Sequence, residues 1–251
     1  MVILITNDDG YDSKGIEVLS QTFSSDENEI YIVAPDGQRS AFSHSISFFK
    51  IVNAREVTTF GKSVKKCYAV DGTPADCVKF ALNYLKIKPD IILSGINNGE
   101  NTGHNILYSG TVAAAEEGAM SGYKALALSK LFKEDTDGIG YITCANFVKR
   151  NMSKLLDLCS KNLVININVP DISIENILGV RIAKQGRTVY YDYYEDRGDN
   201  KYFLTGEKQD INHNDIDDVT ESEKGYIVVT PLSIDRTDYK ALDLIAKEVF
   251  L

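Results

Sequence analysis

The sequence predicts a doubly wound α/β fold, built on a mostly parallel sheet with helices on both faces. Two patterns carry that expectation. Short apolar runs rich in β-branched residues alternate with helix-period patterns through about residue 170, and the runs are continuously apolar, as strands buried on both faces must be. With 43% hydrophobic and 25% charged residues over 251 positions, the chain can bury a sizeable core in one large domain or two small ones.

The elements follow in order. Residues 2–5 read as a strand, and Ile16, Leu19 and Phe23 then recur at helical spacing. A second strand spans 29–34 and is stopped by Pro35. Next come a strand at 67–70, a helix over about 75–85, a strand at 91–93 and a helix starting near Thr111 with an alanine run. Residues 125–128 and 163–169 are two more buried strands, separated by a helix over about 140–158. This is the rhythm of a Rossmann-like sheet, expected to occupy residues 1–180 as a catalytic core.

After Pro170 the rhythm changes. Strands are expected at 180–183 and 226–230, with a final amphipathic helix over about 239–250. Between the strands lies a stretch dense in Tyr190, Tyr191, Tyr193, Tyr194, Tyr202 and Phe203, too aromatic to read as disorder. It reads as a protruding hairpin that pairs with another subunit, or else as a monomeric surface loop. Residues 181–251 are thus expected to form a C-terminal extension.

Charge is uneven along the chain. The formal net charge is −9, and eleven acids against three bases place −8 of it in residues 192–223. Duplex nucleic acid is an unsuitable partner for such a chain, because phosphate binding works through a basic face. The deficit is expected to belong to the extension and to leave the catalytic part nearly neutral. Cys67, Cys77, Cys144 and Cys159 form no CxxC pair and stand apart from the histidines at metal-ligand spacing, so they read as buried free thiols. No segment reaches the roughly 18 apolar residues of a membrane span, and the N-terminus opens directly on a strand. A cytoplasmic protein without a membrane partner is expected.

In an open parallel sheet, ligands bind beyond the carboxyl ends of the strands. The first strand ends in Asp8-Asp9-Gly10, and adjacent carboxylates repel unless they share a cation. Mg²⁺ or Mn²⁺, which prefer oxygen ligands, would resolve that; the plainer reading is a helix cap. After the second strand comes a long polar loop containing Ser40, a possible oxygen donor, and His44, either structural or catalytic. The loop from Ser94 to Gly103 contains Asn97 and Asn101, with glycines at four-residue spacing that permit close backbone approach. Ser109-Gly110-Thr111 then open a helix, where orphan N–H groups and the dipole favour a phosphate, and a Ser or Thr N-cap is compatible with that.

An oxygen-rich metal site beside a phosphate cradle suits metal-assisted phosphoryl transfer to water. The dinucleotide fingerprint and the P-loop are both absent from the sequence.

The motifs Asn7-Asp8-Asp9-Gly10, Ala34-Pro35-Asp36 with Arg39-Ser40 and His44-Ser45-Ile46, Gly72-Thr73-Pro74-Ala75-Asp76-Cys77-Val78, Ser94-Gly95-Ile96-Asn97 and Tyr108-Ser109-Gly110-Thr111-Val112 occur in order across residues 3–120. With Asn166-Ile167-Asn168-Val169-Pro170 and Thr230-Pro231-Leu232 further on, the chain resembles the SurE family of stationary-phase survival proteins, metal-dependent 5'/3'-nucleotidases. The resemblance implies one divalent ion per subunit, Mg²⁺ or Mn²⁺, on Asp8, Asp9, Ser40 and Asn97. It implies phosphate contacts from Asn101, Ser109, Gly110 and Thr111, with Asp8, Asp9, Asn97 and Ser109 at the reacting centre. It further implies a nucleotide substrate, short polyphosphate for some members, and a homodimer or homotetramer that exchanges its C-terminal extension. Asn98, Glu100 and Thr102 fall at variable positions of the Gly/Asn loop, and the acidic run 210–223 matches no family motif.

Two readings of other classes stand beside this one. A receiver-like, Mg²⁺-dependent phospho-acceptor domain also carries an acidic pair near the end of its first strand, but needs a further acceptor Asp and a Lys at later strand ends. Alternatively, the tyrosine-rich acidic hairpin is a module for binding another protein.

Overall fold

A computed structural model describes residues 1–58, 64–133, 138–209 and 216–249. The elements are β1 (Val2–Thr6), α1 (Lys14–Phe23), β2 (Glu29–Pro35), β3 (Ala54–Val57), β4 (Val64–Val70), α2 (Pro74–Lys79), β5 (Ile91–Asn98), α3 (Gly110–Met120), β6 (Ala125–Lys130), α4 (Ile139–Leu158) and β7 (Leu163–Val169). They continue with β8 (Val180–Ile182), β9 (Tyr190–Asp196), β10 (Tyr202–Lys208), α5 (Asp218–Glu223), β11 (Ile227–Ser233) and α6 (Tyr239–Val249).

Among the described residues, nine strands form one sheet in the order β3-β4-β2-β1-β5-β6-β7-β11-β8. From β4 to β7 every neighbouring pair is parallel, while β3 and β11 run antiparallel to β4 and β7. The fold is therefore doubly wound α/β with a mostly parallel sheet. The chain moves outward from β1 through β2 to β4, then returns to the other side of β1 with β5. That reversal leaves a crevice between the carboxyl ends of β1 and β5, the place where such sheets bind ligands.

Each face of the sheet has its own apolar layer. Ile3, Ile5, Ile91 and Leu93 meet Ile16, Leu19 and Phe23 of α1 and Val148 of α4 on one face. Leu4, Val33 and Ile92 meet Val78 of α2 and Val112, Ala115 and Ala119 of α3 on the other. The alternation Ile3, Leu4, Ile5 thus feeds both layers from one strand, and each such side chain removed from water contributes about 2 kcal/mol. The small side chains of α3 let it lie close against the sheet, which matters because its first residue abuts β1. Local signals agree: Thr73 and Asp76 form a reciprocal capping box with Pro74 at the first turn of α2, and Ser109 caps α3 through the Val112 N–H.

The structure differs from the sequence reading in four places. The helix expected over 75–85 changes to π geometry across Phe80–Tyr84. The strand expected at 91–93 runs on to Asn98 through a register irregularity between Ser94 and Asn97, so Asn97 ends a strand instead of lying in a loop. Gly95 makes that path possible: its φ is +135°, and a Cβ there would lie 2.2 Å from the Leu128 carbonyl oxygen. Short, largely exposed β3 had no readable apolar pattern. The acidic run is also more structured than its composition suggests, because α5 lies within it and buries Asp218 and Glu221; positions 210–215 of that run, and Phe250 of the final helix, lie outside the described residues.

The expected hairpin is present. β9 and β10 pair antiparallel as a separate two-stranded sheet, with Tyr191, Tyr194, Tyr202 and Phe203 all more than half exposed. The late strand β11 sits inside the main sheet, between β7 and β8. No helix among the described residues is long and apolar enough to cross a membrane.

Candidate active site

Asp8, Asp9, Ser40, Asn97, Asn101 and Ser109 line one open cleft of about 210 Å³ at the β1/β5 crevice, together with Gln38, Asn98, Asn105 and Tyr108. Six positions spread over 102 residues of sequence are thereby brought to one place. Thr111 and Gly110 stand behind this wall.

Asn7 shapes the turn that presents the two acids. Its amide donates to the Gly10 carbonyl at 3.0 Å and to the Ser13 hydroxyl at 2.7 Å, and its side-chain oxygen accepts the Gly10 N–H. Asp8 is 5% exposed and accepts a 2.5 Å hydrogen bond from the Thr111 hydroxyl. Burial raises its pKa to about 6, against the pull of Thr111 and with a further push from Asp9. Asp9 is also raised by burial, and the Asn98 N–H opposes that shift. Two carboxylates held above their usual range, in a cleft whose lining contains no Lys or Arg among the described residues, are a site short of positive charge.

The remaining side chains come from the loop after β2, the end of β5 and the segment leading into α3, and each is pinned. The loop after β2 is tied to β1 by the Arg39 N–H on the Asp8 carbonyl (2.7 Å), and Ser43 bonds Tyr108 through its N–H and Leu107 through its hydroxyl. Asn97 donates its amide to the Gly99 carbonyl at 2.8 Å, which leaves its side-chain oxygen as the group free for the cleft. Asn101 is gripped from beneath: its N–H donates to Asn168 Oδ1, its carbonyl accepts from Asn166 and Asn168, and its amide donates to Ser129. At α3, a Cβ on Gly110 would come 2.9 Å from the Asp8 Cβ, so glycine permits the helix start to touch β1.

The Thr111 hydroxyl is committed to Asp8 and the residue is fully buried. The Val112 and Ala113 N–H groups are likewise taken, by the Ser109 hydroxyl and carbonyl. Sequence reasoning missed Asn166, Asn168 and Asp218, which act from below. Asp218, fully buried, accepts the N–H groups of Gly103 and Gly186, and burial raises its pKa against those two bonds. One acid of the acidic stretch thus anchors the end of the Gly/Asn loop.

Taken together, fold and cleft define a doubly wound α/β protein with an acidic, oxygen-donor site at its topological switch point. The family model for Survival protein SurE matches residues 3–192. A protein named 5'-nucleotidase SurE from Caldanaerobacter subterraneus subsp. tengcongensis is 40% identical over 249 residues, 96% of this chain and 94% of that one. One of the same name from Clostridium botulinum (strain Eklund 17B / Type B) is 40% identical over 255 residues, 98% and 99% of the two chains. The crystal structure of the SurE protein from Aquifex aeolicus superposes with a TM-score of 0.83 at 32% identity, covering 98% of this chain and 99% of that one. The chain belongs to the SurE family.

Proposed function

We propose that this protein is a metal-dependent phosphomonoesterase that releases phosphate from nucleoside 5'- and 3'-monophosphates, with short polyphosphate as a further substrate. The observation that carries the reading is the convergence of Asp8, Asp9, Ser40, Asn97 and Ser109 in one cleft that no Lys or Arg among the described residues lines. Kinship with proteins named 5'-nucleotidase supports the substrate class.

The donor set fits a hard divalent ion. Two carboxylates, a hydroxyl and an amide oxygen are the ligands that Mg²⁺ or Mn²⁺ prefers, and one such ion would relieve the repulsion between Asp8 and Asp9. When bound, the ion supplies Lewis-acid polarisation of the phosphoryl group. The protein does the rest. Asp8, Asp9, Ser40 and Asn97 hold the ion, Thr111 fixes the Asp8 carboxylate, and Asn101 with the Ser109–Thr111 segment orients the phosphate at the start of α3.

Phosphate release measured over a panel of 5'- and 3'-nucleotides and short polyphosphates, with Mg²⁺, Mn²⁺ or chelator, tests this. Full Mn²⁺-dependent release from AMP by Asp8→Asn or Asn97→Ala would sink it. The receiver-like alternative is less well supported: Lys130 does end β6, but it pairs at 2.8 Å with buried Asp171 and is not in the cleft lining, and the cleft offers Asn97 where an acceptor Asp is needed.

The β9–β10 hairpin and the apolar face of α6, with Leu242, Leu244 and Ile245 exposed, support a homodimer or homotetramer in which residues 181–251 reach a neighbouring subunit. Four buried free thiols suit a reducing, cytoplasmic location.

A further inference from the structure

Glu116 and Glu117 are adjacent on α3, and only 7% and 4% of their surfaces are exposed. Two buried neighbouring carboxylates require a cation between them. His44, from the loop that carries Ser40, meets both: Nδ1 lies 3.2 Å from Glu116 Oε2 and Nε2 lies 3.2 Å from Glu117 Oε2. A neutral imidazole has one N–H and one lone pair, so it satisfies one acid and turns a lone pair on the other. Only imidazolium donates to both.

The other charged groups at the cluster touch one acid each. Lys79 of α2 lies 2.7 Å from Glu117, and Arg236, beyond β11, lies 3.6 Å from Glu116.

The loop within which His44 lies is one that needs holding. Ala41 and Ser43 sit at φ of +59° and +52°, a region L side chains rarely adopt, and Ser40, Ala41 and Phe42 are exposed. Such a path persists only where its surroundings impose it.

We propose that His44 is a positioning residue: bridging Glu116 and Glu117 as an imidazolium, it fixes the Ser40 loop to α3 and so sets the separation between Ser40 and the Ser109 end of that same helix. This rests on the reading of Ser40 as a metal donor. The bonds to Glu116 and Glu117 raise the His44 pKa to about 9 against the effect of burial, so the clamp is charged throughout the neutral range and its ring has no lone pair with which to act as a base.

The test uses the full chain and its His44→Ala, His44→Gln and Glu116→Gln/Glu117→Gln variants. By NMR the wild-type His44 ring is expected to titrate near 9, falling toward about 6.5 when both acids are neutralised. In His44→Ala, amide exchange over residues 38–45 is expected to quicken, and the calorimetric Kd for Mn²⁺ to rise about tenfold, the scale of one lost charge-assisted hydrogen bond. His44→Gln, whose amide can donate to both acids, is expected to recover part of the loss. A wild-type ring titrating near 6.5, or unchanged exchange and Mn²⁺ affinity in His44→Ala, overturns the proposal. If His44→Ala fails to fold, the wild-type titration still decides. Should Asp8→Asn bind Mn²⁺ as the wild type does, the metal reading fails, while ring titration and loop exchange judge the clamp separately.

Discussion

Thr111 and Asp8, 103 residues apart, share a buried hydrogen bond of 2.5 Å from the start of α3 to the end of β1. The carboxylate is thus held at the helix N-terminus, where the dipole favours negative charge. Burial nevertheless prevails and leaves Asp8 near 6. A carboxyl raised in the folded state favours folding while it is protonated, so its contribution is full below the unfolded value and is lost as pH rises through about 6.

Asp8→Asn keeps an acceptor for Thr111 and removes the buried charge. The metal-free variant is expected to be more stable than the wild type at neutral pH, by about 3 kcal/mol, while phosphate release is abolished. Thermal melts in chelator from about pH 4 to 8 check this: the gap between the two proteins should open as pH rises. A gap independent of pH would contradict it.

Gly110→Ala places a methyl 2.9 Å from the Asp8 Cβ and 3.0 Å from its Oδ2. Overpacking of this kind costs about 1–3 kcal/mol. Because the collision falls on the acid proposed to hold the metal, activity is expected to drop about a hundredfold in a protein that remains folded by circular dichroism.

Asp218→Ala orphans the Gly103 and Gly186 N–H groups at a fully buried position. The expected loss is about 2–4 kcal/mol in urea unfolding, together with a raised KM for nucleotide, since Gly103 ends the loop that carries Asn101. An unchanged KM would show that the loop is held without this anchor.

Tyr191→Ser/Tyr194→Ser removes two rings that are 69% and 67% exposed on β9. Light scattering is expected to show a smaller assembly while chain stability barely changes. Substitution is a better probe than excising the whole acidic hairpin region, because an excision reaching α5 would also remove Asp218.

Most of the parallel sheet was legible because fully buried strands write themselves as Ile, Leu and Val runs, and the capping box at Thr73 or the glycine-rich approach at Ser109 are local signals. The cleft donors were legible for a related reason: each lies just beyond a readable strand or at a helix start. Asn166 and Asn168 were quoted as a motif, but their task was hidden, since it depends on β7 passing beneath Asn101. Asp218 could not be read at all. An acid that binds a backbone N–H 115 residues away looks in sequence like its solvated neighbours. His44 likewise gained a role only when α3 brought two acids to its ring.

The order in which the chain leaves the ribosome gives the Asp218 anchor a further meaning. Every cleft donor, Asp8 through Ser109, is made within the first half of synthesis, yet Asn168 and Asp218 emerge much later. A nascent chain that already holds all the cleft side chains therefore lacks the struts beneath Asn101 and Gly103. The strut beneath Gly103 is in place only once α5 has closed onto it, so the loop that carries Asn101 is fully supported only after the C-terminal segment has folded.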